Sequence, residues 1–204
     1  MIGVLDYGLG NVKSFLNSYR TMNIEAKVIK RPEDFSNISH IILPGVGSFD
    51  LAMEQLEASE LKTILHKLVI QKKLPVLGIC VGMQIMGLLS EEGSKRGLGW
   101  IDGKVVKIKN KASISNFYLP HMGWNTISYN AETNIFKDFD ANPEFYFLHS
   151  YYFDCHRRED IVAEVNYGEL MPCAIANKNI FGVQFHPEKS HANGMALLKN
   201  FSLI

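Results

Sequence analysis

Four short apolar runs in the first 80 residues constrain this chain more than any other feature. They are Ile2–Leu5, Ala26–Ile29, Ile41–Leu43 and Val76–Ile79. Each is long enough for a buried strand and too short for a buried helix. Between them, apolar residues recur at helical spacing: Val12, Phe15, Leu16 and Tyr19, then Met53 and Leu56, then Leu61, Ile64, Leu65 and Leu68. Ser48 stands where the middle helix needs an N-terminal cap. Strands alternating with helices call for a parallel sheet covered by helices on both faces. The later part of the chain reads differently. Lys104–Ile108, Asn125–Tyr129, Phe145–Leu148, Ile161–Val165, Cys173–Asn177 and Ile180–Phe185 are strand-like and separated by turn residues, with a hairpin turn at Asn177–Asn179. A helical stripe returns after Pro187 at Ala196, Leu197 and Phe201. No repeat or linker interrupts the chain. Residues 1–204 therefore read as one α/β domain, with a mostly parallel central sheet and antiparallel strands in its second half.

With 47% apolar residues, 204 residues can bury a sizeable core. Lys and Arg number 21, as do Asp and Glu, so the formal charge is zero. That balance argues against a dedicated nucleic-acid or anionic-membrane binder and leaves little self-repulsion against a protein partner. The opening MIGVLDYG lacks a basic leader region, and no apolar run approaches membrane-spanning length. The cysteines are Cys80, Cys155 and Cys173, an odd number without a CxxC pair. Neither a disulfide framework nor a zinc site is expected, and a reducing cytoplasm is. The expectation is no metal and no cofactor.

The run Val76-Leu77-Gly78-Ile79-Cys80-Val81-Gly82-Met83-Gln84 carries the chemistry. A strand stops at a cysteine with glycines two residues before and two after, and helical residues follow at once. This is the thiol counterpart of the nucleophile elbow. Side chains at the flanking positions would collide with neighbouring backbone, and a helix starting beyond the sulfur favours thiolate. The Val81 N–H becomes an oxyanion donor. A lone cysteine after a strand would instead be read as core packing; the paired glycines and the abrupt switch separate this one from that reading.

The base lies far downstream, in Gly182-Val183-Gln184-Phe185-His186-Pro187-Glu188. The expectation is a strand ending in His-Pro-Glu, with His186 and Glu188 on one side of an extended segment. Glu188 then orients the imidazole towards Cys80. His40, His66, His156 and His191 read as structural or solvated. The turn Pro44-Gly45-Val46-Gly47 follows a parallel strand and should lie at the same sheet edge, where Val46 or its neighbour can offer a second oxyanion N–H.

PGVGSFD, GICVGMQ and GVQFHPEKS, in that order, resemble the class I (triad) glutamine amidotransferases. With DYGLGN, PHMGWN (Pro120–Asn125) and FLHSYY (Phe147–Tyr152), the chain is similar from end to end to one branch of that family. These are glutaminase subunits that supply ammonia to a (β/α)8-barrel cyclase making imidazole glycerol phosphate in histidine biosynthesis. The resemblance implies that Cys80 attacks the side-chain amide of glutamine through a thioester, with His186 and Glu188 completing the triad. It implies glutamine contacts at Gly45, Val46, Gly47, Val81, Gln84, Ser150 and Tyr151, and an oxyanion turn that rearranges before use. It implies a heterodimer with the barrel subunit, through Asn11, His121, Met122, Trp124 and Lys189, and ammonia passage through the barrel. Val81 and Trp100 depart from residues common in the family. A paralogous branch feeds bacterial surface-sugar biosynthesis with the same triad.

Three other readings compete with this one. DYGLGNVK places Lys13 where a dinucleotide loop needs its third glycine. A stand-alone cysteine hydrolase has no need of Gln84, the QFHPE strand or PHMGWN. A binding module would be expected to lose Cys80 or His186.

Overall fold

The computed structural model describes residues 1–109 and 118–204. The described strands are β1 (Ile2–Leu5), β2 (Ala26–Ile29), β3 (His40–Gly45), β4 (Val76–Cys80), β5 (Gly103–Lys107), β6 (His121–Tyr129), β7 (Glu144–His149), β8 (Tyr151–Cys155), β9 (Ile161–Asn166), β10 (Leu170–Asn177) and β11 (Ile180–Val183). The helices are α1 (Val12–Thr21), α2 (Phe49–Ala58), α3 (Leu61–His66), α4 (Val81–Gln84) and α5 (His191–Phe201). A nine-stranded sheet runs in the order β2-β1-β3-β4-β11-β10-β9-β6-β7, and β5 pairs with β8 in a separate two-stranded sheet.

The first five strands of that order are parallel and the remaining pairings antiparallel. The chain steps from β1 outward to β2, but from β3 inward to β4. Right-handed crossovers in opposite directions put α1 on one face and α2 on the other. Phe15 and Tyr19 of α1 are buried, as are Leu197, Leu198 and Phe201 of α5, which contacts α1. Phe49, Ala52, Met53 and Leu56 of α2 are buried on the other side. Coverage on both faces explains why β1, β3 and β4 are continuous apolar runs without alternation.

Three details differ from the expectation. The strand β8 was not anticipated, because Tyr151–Cys155 follows β7 with only Ser150 between. The last parallel strand stops at Val183 rather than Phe185, its final pairing being with Ile79, one residue before β4 turns at Cys80. The helix after the elbow is a single turn, so its dipole at the sulfur is that of a few peptide units. Among the described residues, no helix is long and apolar enough to cross a membrane.

Candidate active site

Strand register assembles the site. Gly45 of β3 pairs with Cys80 of β4, and Val183 of β11 pairs with Ile79. Three strand ends therefore bring Gly45, Cys80 and Gln184 side by side at the carboxyl edge, where open α/β sheets bind ligands. Cys80 sits at φ 54°, ψ −114°, a conformation that L residues rarely adopt. The turn presents Cys80 to the cavity, though the residue is buried. A Cβ on Gly82 would strike the Leu43 carbonyl, and one on Gly45 would strike the Gly82 nitrogen. The elbow can pass β3 only because both positions lack side chains.

His186 lines the same cavity as Cys80, and its Nδ1 lies 2.9 Å from Glu188 Oε1. Both side chains of the His–Glu pair are 4% exposed. The expected extended geometry is not what joins them. Pro187–Lys189 forms a 3-10 turn, with Pro187 at its first position and His186 as its cap. Proline fixes φ for such a start and needs no N–H there, so the turn folds Glu188 back onto the ring. The loop is tied down further. His186 N–H donates to the Tyr146 carbonyl at 2.9 Å, and Ser190 Oγ donates to the His186 carbonyl at 2.6 Å. Burial works against a charged imidazole, but hydrogen bonds and opposite charge from Cys80 and Glu188 outweigh it, pushing His186 up to about 9. The imidazolium is thus available as an acid at neutral pH.

A second network reaches the sulfur through amides. Gln184 is fully buried; its Nε2 donates to Cys80 Sγ at 3.6 Å, and its Oε1 accepts from Gln84 Nε2 at 3.0 Å. Gln84 Nε2 also donates to the Tyr151 carbonyl at 3.0 Å. Both Gln84 amide hydrogens are spent on protein, so its carbonyl oxygen is what remains to offer a ligand. Gln184 was not singled out in the sequence, although its place two residues before His186 on the strand was the available signal.

These groups open into a cavity of about 330 Å³. Val46, Gly47, Cys80, Val81, Gln84, Ser150, Tyr151, His186 and Lys189 line it, with Glu92, Pro120, Leu148 and His149. Gly45 lies behind this lining, against Gly82. Glu92 carried no sequence signal; its Oε2 accepts from the Phe49 N–H at 2.8 Å, which anchors a carboxylate at the start of α2.

The residues expected at a partner surface separate in space. Along β6 the side chains alternate: His121 is buried, while Met122 is 63% and Trp124 45% exposed. Trp124 stacks on His191 at 5.0 Å, and so is not the core aromatic its composition would suggest. Lys189 lies over the Tyr146 ring at 5.4 Å, at the cavity rim. The Asn11 side chain caps α1 by accepting from Ser14 N–H at 3.2 Å. Its loop packs on the glycine turn, for Tyr7 OH donates to the Pro44 carbonyl at 2.7 Å. Elsewhere, Trp100 Nε1 donates to His66 Nδ1 at 3.1 Å, which accounts for a tryptophan at that position. Burial, aided by Asp160, pushes Cys155 up to about 12, and burial raises Cys173 as well; neither is a reactive thiol. Among the described residues no cluster of metal-ligating side chains occurs.

A buried Cys-His-Glu constellation on a strained elbow, facing a cavity, has the make-up of a thiol nucleophile with a base and an orienting carboxylate. The chain belongs to the class-I glutamine amidotransferase family, whose model matches residues 3–204. It is 48% identical over 202 residues to "Imidazole glycerol phosphate synthase subunit HisH" of Leptospira borgpetersenii, covering 99% of each chain. It is 47% identical over 204 residues to the protein of that name in Bdellovibrio bacteriovorus, covering 100% of each. Among solved structures, a glutamine amidotransferase superposes with TM-score 0.74 at 16% identity, covering 98% of both chains. PurLQS from Thermotoga maritima superposes with TM-score 0.73 at 16% identity, covering 99% of this chain and 97% of that one. These superpositions establish the fold alone.

Proposed function

We propose that this chain is the glutaminase subunit of an imidazole glycerol phosphate synthase, releasing ammonia for a (β/α)8-barrel cyclase partner in histidine biosynthesis. The observation that carries the chemistry is the Cys80–His186–Glu188 arrangement at the floor of the cavity. The relatives' shared name supports the pathway.

Cys80 passes its proton to His186 and its sulfur adds to the side-chain carbonyl carbon of glutamine. The oxyanion is met by the Val81 N–H, which stands at the first position of α4 and has no intrahelical partner there. The glycine turn at Val46 and Gly47 supplies the other side of that hole. The C–N bond breaks as His186 gives its proton to the departing nitrogen, and ammonia leaves. A water then loses a proton to His186 and adds to the thioester carbon; the C–S bond breaks, glutamate leaves, and the proton on His186 returns to the sulfur. Glu188 accepts from His186 Nδ1 throughout and holds the ring in place. The Gln84 oxygen and the Glu92 carboxylate suit the donors of an amino-acid substrate. Met122, Trp124 and Leu148 are exposed apolar side chains on the paired strands β6 and β7, and the partner docks through them.

Complementation tests this reading. A bacterium lacking its histidine-pathway glutaminase subunit should regain growth without histidine when given this gene with its own cyclase gene. Failure to grow while both proteins are soluble would contradict the pathway.

A further inference from the structure

Four ring nitrogens and one carbonyl link the partner-facing strand to the cavity wall. His121 Nδ1 lies 2.9 Å from His149 Nε2, and His149 Nδ1 lies 2.9 Å from the Tyr151 carbonyl. Asn125 Nδ2 lies 3.4 Å from His121 Nε2 and also donates to the Asn166 carbonyl at 3.2 Å. The proton positions follow from chemistry. A carbonyl can only accept, so His149 Nδ1 carries a hydrogen. His149 Nε2 then accepts from a hydrogen on His121 Nδ1. His121 Nε2 is left to accept from the Asn125 amide. Every link is satisfied only when both rings are neutral and both carry hydrogen on Nδ1.

The chain of bonds continues into the chemistry. The Tyr151 carbonyl that receives His149 also receives Gln84, Gln84 holds Gln184, and Gln184 reaches the Cys80 sulfur. His149, Ser150 and Tyr151 are the corner at which the chain leaves β7 for β8, and all three line the cavity. His121 is itself clamped between Tyr167, at 4.0 Å, and Phe147, at 4.6 Å, with both ring pairs 19° from parallel.

We propose that His121 and His149 form a positioning pair, a hydrogen-bonded couple of fixed direction that transmits the placement of β6 to the glutamine-binding corner at Ser150–Tyr151. This deepens the glutaminase reading and rests on it. The pair touches no reacting atom; it sets the wall against which glutamine and Gln84 sit.

The test compares His121→Phe with His121→Asn in the complex with the cyclase subunit, measuring glutamate release against glutamine concentration. Phenylalanine keeps the ring stack but leaves His149 Nε2 without its donor. Its KM for glutamine should rise about tenfold, the effect of one buried acceptor left unpaired. Asparagine places an amide hydrogen where Nδ1–H stood and should return KM to within about threefold of the parent, as one restored hydrogen bond would. An unchanged KM in His121→Phe, or no rescue by asparagine, would overturn the proposal. Nitrogen-15 spectra of the unaltered protein at pH 7 give a readout independent of variant folding. Both rings should be neutral Nδ1–H tautomers; an Nε2–H tautomer at His149 would overturn it. A parent complex that releases no glutamate from glutamine would instead refute the glutaminase reading, since the tautomers would remain measurable.

Discussion

The amide nitrogen of Gln184 stands 3.6 Å from the sulfur of Cys80, on the strand next to the elbow. A buried neutral donor there hydrogen-bonds the sulfur without competing for the proton that His186 must deliver. Replacing Gln184 with leucine removes the donor and leaves Gln84 with an unspent amide hydrogen. We expect kcat for glutamate release to fall about tenfold to a hundredfold, on the scale of a lost hydrogen bond to a charged group. Steady-state kinetics of the Gln184→Leu complex checks this; an unchanged kcat would show that the contact does not act on the thiolate.

Gly82 tests the elbow's geometry separately from its chemistry. An alanine there drives a methyl group into the Leu43 carbonyl, a backbone atom of a central strand that has no room to yield. Destabilisation of about 3 kcal/mol or more is expected, as for overpacking of a rigid core. Urea unfolding of Gly82→Ala should show the loss.

Trp124 is expected to matter to association and little to folding. It is half exposed on β6, its main neighbours being the His191 and Tyr146 rings. Trp124→Ala should weaken binding of the cyclase subunit by about 2 kcal/mol, the scale of an aromatic anchor. Calorimetric titration measures that loss. The melting temperature of the isolated chain should stay within a few degrees of the parent.

Stability should peak near neutral pH, because the imidazoles act in opposite directions. His186 is held up near 9, so its contribution is complete below 6.5 and is lost as pH rises towards 9. Burial holds His149 down to about 3 and His121 down to about 4. Their unfolded forms take up protons below 6.5 while the folded forms do not, so stability falls as pH drops from 6.5, by about 1.4 kcal/mol per pH unit for each ring. Unfolding free energies across pH should show a flatter alkaline limb in His186→Asn and a flatter acid limb in His149→Phe.

Much of this architecture is legible in the residues. Period-two and helical spacing place the strands and helices of the first half, and the glycines around Cys80 announce a strained elbow before any coordinates. The path from His186 to Glu188 was not readable as a turn, because a strand ending in proline looks the same whether it continues extended or folds into a 3-10 turn. Glu92 leaves no local pattern as a site residue, because it reaches the cavity through a long loop; Gln184 reaches Cys80 through strand register, and its only local signal is its place two residues before His186. His121 was legible only as part of a motif; its burial follows from β6 starting at residue 121 with inward and outward positions alternating.

The most direct test of the account is glutamate release by the Cys80→Ala complex. The account predicts that hydrolysis of glutamine disappears while the chain still binds the cyclase subunit with parental affinity, since the Cys80 side chain is buried at the elbow and is not among the exposed side chains of β6. Glutamate release at the parental rate from the purified Cys80→Ala complex would contradict it.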